Sequence, residues 1–180
     1  METDAITLYH SSTRELEGID AGGGKPFRDF GRGFYAMESR EAAAGEAIRL
    51  SEIESRRLER IGAPQKVAPW VYELELDAGG LAGLDAKRFG RANGDWARFV
   101  ASCRSGGSGH GFDAVIGPAA DGEAIAGMQV YLSGGFGDAD GDEAVEFFLK
   151  RVRPERLPVK YLFATQRAAG LLALKGRSMA

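Results

Sequence analysis

Leu8-Tyr9-His10-Ser11-Ser12 and Asp29-Phe30-Gly31-Arg32-Gly33-Phe34-Tyr35 are the two stretches on which the reading of the fold turns. In the first, Ile6, Leu8 and His10 alternate with Thr7 and Tyr9, the period of a short strand that ends at the serine pair. A histidine closing such a strand can hold one ring nitrogen against the protein and offer the other to a ligand hydroxyl; it serves equally well as a satisfied structural residue. In the second, two glycines one residue apart let backbone approach a bound group closely, and two aromatics follow at once. Tyr35 fits core packing as readily as a ring contact. The glycine pair is no dinucleotide fingerprint, because no strand leads directly into it and the third glycine is missing. Residues 13–33 between the two stretches carry glycines, Pro26 and mixed charge without a period, which reads as a long binding loop.

Outward from these segments, Ser39 to about Ile61 has helical composition, with Ser39 as N-cap and Ala43, Ala47, Leu50, Ile53, Leu58 and Ile61 as an approximate stripe weakened near Gly45. Val71 to Leu76 alternates as a half-exposed antiparallel strand. A helix is expected near Asp95, burying Trp96, Phe99, Val100 and Cys103. Phe112 to Ile116 reads as a strand stopped by Gly117 and Pro118, and Asp142 to Val152 as a helix with Ala144, Val145, Phe148, Leu149 and Val152 on one side. Tyr161 to Phe163 reads as a strand leading into an Ala and Leu segment whose last residues fray. Strands and helices interleave without a regular beta-alpha-beta rhythm, so the expected class is α+β, in a single domain over 1–180.

The chain has 180 residues, 23 Lys plus Arg against 26 Asp plus Glu, a formal charge of -3, and 44% hydrophobic residues. A globule of this size buries roughly 70% of its extended surface and needs no staple. One cysteine and two histidines are too few for an internal disulfide or a Cys and His zinc site, so no metal is expected. No apolar run approaches a membrane span, and the opening Glu2 and Asp4 do not make a signal segment, which places the chain in the cytoplasm where it is made; delivery to another cell as an effector would leave no such mark. The charge balance argues against nonspecific nucleic-acid binding.

The two stretches resemble the first motifs of the ADP-ribosyltransferase fold in its diphtheria-toxin and poly(ADP-ribose) polymerase branch, where Leu-x-His-Gly is followed by Gly-x-Gly-x-Tyr. Together with Asp113 to Asp121 and Tyr161 to Ala168, they resemble more closely the bacterial DUF3990 family over nearly the whole chain. That family carries Tyr-His-Gly, Asp-Phe-Gly-x-Gly-Phe-Tyr, Asp-x-Val-x-Gly-Pro-x-Ala-Asp and a final Gln-Tyr-x-Phe-His-Thr-Glu-Lys-Ala-Leu. The resemblance implies split antiparallel sheets with peripheral helices around a cleft for NAD, used as cosubstrate. His10 would bond the adenosine-side or nicotinamide-side ribose, Ser11 backbone would grip the nicotinamide amide, and Tyr35 would stack on the nicotinamide ring. Gly31, Arg32, Gly33 and Phe34 would shape the approach, Arg32 either reaching the pyrophosphate or standing as an exposed charge.

The implied activity is transfer of one ADP-ribose unit from NAD to a macromolecular acceptor, protein or nucleic acid, by a bacterial toxin or effector with a cognate antitoxin or immunity protein as a further partner. The alternative is a catalytically impaired NAD-binding or protein-interaction domain on the same scaffold. The third catalytic position, Glu in the polymerases and commonly Gln in the bacterial family, is Lys160 here. An ammonium there adds positive charge where the ribose becomes positive. Lys160 is either a site group, charged or neutralised by burial, or a solvated strand residue. Ala164 and Gln166 also replace the family His and Glu. Among other acids, Asp113 suits a turn acceptor, Asp121 and Glu123 suit acceptor recognition or surface charge, and Glu155 lies near Pro158.

Overall fold

The computed structural model describes residues 5–106, 109–120 and 123–180. One seven-stranded sheet runs through the molecule in the order β4-β5-β6-β2-β1-β3-β7. Its strands are β1 (Ala5–Ser12), β2 (Phe34–Met37), β3 (Trp70–Asp77), β4 (Ala86–Arg88), β5 (Ala114–Pro118), β6 (Val159–Phe163) and β7 (Leu172–Met179). The helices are α1 (Arg40–Arg60), α2 (Ala78–Ala82), α3 (Gly94–Arg104), α4 (Glu123–Leu132), α5 (Asp142–Val152) and α6 (Gln166–Ala169). The α+β expectation holds. All pairings are antiparallel except β4 with β5, which are parallel because α3 supplies the crossover such a pair requires.

The sheet is nearly divided in the middle. β1 pairs with β3 from Ala5–Asp77 to Ser12–Trp70, and β2 with β6 from Phe34–Phe163 to Met37–Lys160. Between β1 and β2 there is a single bridge, Tyr9 opposite Met37. No further pairing joins the two strands, and this seam splits the sheet. β2 can lie so close to β6 because residue 33 is glycine: a Cβ there would fall 2.4 Å from Leu162 Cδ1 and 2.5 Å from Phe163 O.

Strand alternation sends side chains to two cores. On one face Tyr35, Val115 and Leu162 meet Trp96, Met128, Tyr131 and Phe148 from α3, α4 and α5. On the other Leu8, Phe34, Ala36, Leu74, Tyr161 and Phe163 meet Leu81, Ala168 and the loop residue Ala21. Ser39 caps α1, accepting from Ala42 N at 3.1 Å. The buried face of α1 is Ala43, Glu46, Ala47 and Ser51, so Ala43 and Ala47 of the expected stripe are buried and Leu50, Ile53, Leu58 and Ile61 are not. Small residues let α1 press on Met37 and Val71, whereas Ile53 and Ile61, on the helix's outer reach, are 52% and 65% exposed.

Four more corrections apply. Cys103 is only half-buried. β5 begins at Ala114 and includes Gly117 and Pro118, the latter paired with Val159. β2, α2, β4 and α4 add regular elements that composition did not reveal. The C-terminal segment does not fray: after the short α6, β7 pairs with β3 from Leu172–Leu76 to Met179–Trp70 as an edge strand, and its Lys175 and Arg177 are the kind of charges that protect such an edge. Among the described residues no helix is long and apolar enough to cross a membrane, and no group of acids, histidines and cysteines could hold a metal.

Candidate functional site

Where β1 leaves β2, the His10 ring takes the place of the missing ladder. Its Nδ1 lies 2.6 Å from the Tyr35 carbonyl oxygen. A carbonyl only accepts, so Nδ1 carries the proton, and Nε2 is left as an acceptor when the ring is neutral. The ring stacks on Phe34, centroids 4.2 Å apart. Burial holds His10 below the ordinary imidazole value, while the Tyr35 hydrogen bond and the Glu46 charge oppose the shift. The neutral form is therefore favoured at pH 7.

Tyr35 meets His10 through its main chain only. Its ring turns to the opposite face of β2, beside Phe30, and is buried. The hydroxyl accepts from Phe30 N at 3.1 Å and donates to Gly31 O at 2.7 Å. Gly31 permits this with φ +88°. The phenol is pushed far above its usual range, first by burial. The Arg28 guanidinium lies over the ring, 4.2 Å from its centroid. The expected open platform for nicotinamide is thus covered by an arginine, and the two named rings do not face one another.

Lys160 is no solvated strand residue. Its side chain is 5% exposed and its Nζ donates to Glu46 Oε2 at 3.0 Å. Glu46 comes from the buried face of α1 and gathers cations: Arg28 Nη2 at 3.3 Å and Arg49 Nη2 at 4.0 Å reach Oε1, and Ser11 Oγ lies 3.5 Å from Oε2. Burial pushes the carboxyl up, but Lys160 and Arg28 together hold it below the usual carboxylate range. The carboxylate beside Lys160 thus comes from a helix 114 positions away in the chain. Neither Glu46 nor Arg28 stood out in the sequence; the signal for Glu46 was an acid between Ala43 and Ala47 on the face α1 buries.

Arg32 is exposed, and the arginine that lies on the Tyr35 ring and reaches Glu46 is Arg28. Gly31, Gly33 and Phe34 lie at the seam through the contacts above. Asp29 is a buried brace: its carboxylate accepts from Arg104 Nε and Ala120 N, and burial raises its pKa against the pull of Arg104. Asp113 accepts from Asp85 N at 3.3 Å and Thr165 Oγ1 at 2.8 Å, which ties loops together as a turn acceptor does. Gln166 holds the long loop through Ala21 N and Ile19 O. Glu155 is exposed. Asp121 lies outside the described residues, as do Glu2, Asp4 and the side chain of Glu123.

No curated protein matches the chain. A solved structure described as the crystal structure of the M. tuberculosis MbcT-MbcA toxin-antitoxin complex is similar over 98% of this chain and 84% of that chain, at 15% identity and a TM-score of 0.43. That likeness is too distant to carry an activity. The family described as protein of unknown function (DUF3990) matches residues 6–174, and the chain belongs to it.

Proposed function

We propose that this chain is an NAD-dependent ADP-ribosyltransferase acting at the β1–β2 seam. The observation that carries the reading is the buried Glu46–Lys160 pair beside Ser11 and the neutral His10. In the reaction the bond from ribose to nicotinamide nitrogen breaks, nicotinamide leaves with the electron pair, and positive charge grows on the ribose before the acceptor nucleophile attacks and loses its proton. A fixed negative charge opposes that growth best in a site that excludes water. Lys160 alone would work against it; paired with Glu46 it adds no net charge and can still donate to a ribose hydroxyl. His10 Nε2 accepts from a second hydroxyl, Ser11 backbone grips the carboxamide, and the Tyr35 ring becomes a stacking face once Arg28 leaves it. Gly31, Gly33 and Phe34 border the approach. Arg28 is 38% exposed, so its departure disturbs little packing.

The test is nicotinamide release from NAD by wild type, His10→Gln and Glu46→Gln, with folding checked by circular dichroism. Loss of about 10²-fold in each variant is expected, the size seen when one preorganised polar group is removed; undiminished release in both would remove the residues from the site. A second reading, an NAD-binding domain without turnover, is favoured by Arg28 on the Tyr35 ring. It requires a thermal shift with NAD and no nicotinamide release in wild type.

A further inference from the structure

An open cavity of about 400 Å3, lined in part by Glu46 itself, lies between α1, α4 and the end of α5. Four arginines line it: Arg49 from α1, Arg151 and Arg153 at the C-terminus of α5, and Arg156 in the 3-10 turn at Pro154–Arg156. Leu157 and Pro158 give it an apolar wall. This is a dense cationic lining for a chain of net charge -3. Glu46 also faces the cavity, but Lys160 and Arg28 already neutralise it. Among the described residues, Arg151, Arg153 and Arg156 have no carboxylate within ion-pair distance.

Two details go beyond charge. The Arg151 stem lies against Gly127 of α4, where a Cβ would be 3.2 Å from its Cγ, so the small residue sets the arginine's course. Arg153 ends α5 in the left-handed region, φ 50° and ψ 74°, where glycine would be unstrained. A helix stop alone gains nothing from an arginine there. Its position on the cavity does account for it.

We infer that this cavity binds an organic phosphate of nucleotide size, its phosphates held by the arginine forks and its ring against Leu157 and Pro158. The volume falls within the range of small-ligand sites, and guanidinium pairs bind phosphate oxygens two at a time. The cavity adjoins the proposed NAD site and shares Glu46 with it, but Arg151, Arg153 and Arg156 belong to the cavity alone, and the inference stands whether or not NAD is cleaved next to it.

Calorimetric titration of the full chain with ADP and with inorganic pyrophosphate tests it, in wild type, Arg151→Gln/Arg153→Gln/Arg156→Gln and Arg153→Gly. Wild type should bind both probes, ADP more tightly because of its ring, and the triple variant should weaken both by tenfold or more. Arg153→Gly should weaken binding while raising the melting temperature of the free protein, a pair of opposite signs that a structural role for Arg153 does not produce. Equal binding by wild type and triple variant overturns the inference. So does binding that survives the triple variant and vanishes in His10→Gln, which would put the probe at the seam. A 20-nucleotide single-stranded RNA that bound far tighter than ADP would replace the small ligand with a nucleic acid and equally overturn it.

Discussion

Replacing Glu46 by Gln keeps its shape and removes the charge that balances Lys160. The Lys160 ammonium then stays buried, at 5% exposure, without the Glu46 charge beside it. Breaking a buried pair in this way costs about 3 kcal/mol, the low end of the usual range. Lys160→Met leaves the opposite charge, but Arg28 and Arg49 still reach Glu46 from positions 38% and 42% exposed, so its cost belongs near 3 kcal/mol. The double variant leaves neither charge and should fall within about 1 kcal/mol of wild type. Urea unfolding of the four proteins closes the cycle. In a domain of this length each single variant should melt about 10 °C lower. The acid limb supplies a second reading. Glu46 is held below its unfolded value, so it binds its proton more weakly in the folded state; its contribution is full above the unfolded pKa and is lost as pH falls through the folded one. Glu46→Gln should flatten that limb. Singles that each cost under about 1 kcal/mol, or a double equal to their sum, would refute a buried coupled pair.

His10 titrates below the ordinary imidazole value, so the unfolded chain takes up its proton first and stability declines as pH drops below about 6.5; nitrogen NMR at pH 7 should find a neutral ring protonated on Nδ1, and an imidazolium there contradicts the seam geometry. Gly33→Ala drives a methyl group into Leu162 and the Phe163 carbonyl and should cost about 3 kcal/mol in urea unfolding; a cost under about 1 kcal/mol would mean β2 does not lie so close to β6. Arg28→Ala removes a half-exposed ion pair and a cation–ring contact worth about 1 kcal/mol together. It should tighten binding of free nicotinamide, which has no phosphate for an arginine to hold, and weaker nicotinamide binding would show that Arg28 belongs to the ligand site.

The elements legible in the sequence were those whose side chains repeat one local period. β1 and β3 alternate, α5 follows its stripe to both ends, and Ser39 announces α1. β7 was not legible because an edge strand carries charge and glycine where a central strand carries apolar residues: Lys175, Gly176 and Arg177 gain their order only from pairing with β3. The α1 stripe misled for a related reason. Hydrophobicity pointed to Ile53 and Ile61, but no residue of α1 beyond Ser51 is buried, and what a helix buries is set by what lies under it.

The site divides the same way. His10 at a strand end and the glycine pair before β2 are local signals, and both lie at the seam. Lys160 read alone was an obstacle, a cation where the chemistry wants an anion, and no inspection of residues 159–163 could have removed it. The remedy lies 114 positions away in the chain, on a helix turn whose alanines let α1 press on Met37 and Val71, from where a carboxylate reaches the ammonium. Charge at a buried position is a property of the packed neighbourhood rather than of one residue, because desolvation forces each ion to find a partner. In the proposed reaction, therefore, the lysine at position 160 does not by itself decide whether a positive ribose can be stabilised. The summed charge around it would, and in the proposed reaction that charge becomes more negative when Arg28 leaves Glu46, the same departure that uncovers the Tyr35 ring. Ring access and charge balance are thus coupled through one side chain, so nicotinamide affinity and the rate of nicotinamide release should rise together in Arg28→Ala and part company in Glu46→Gln.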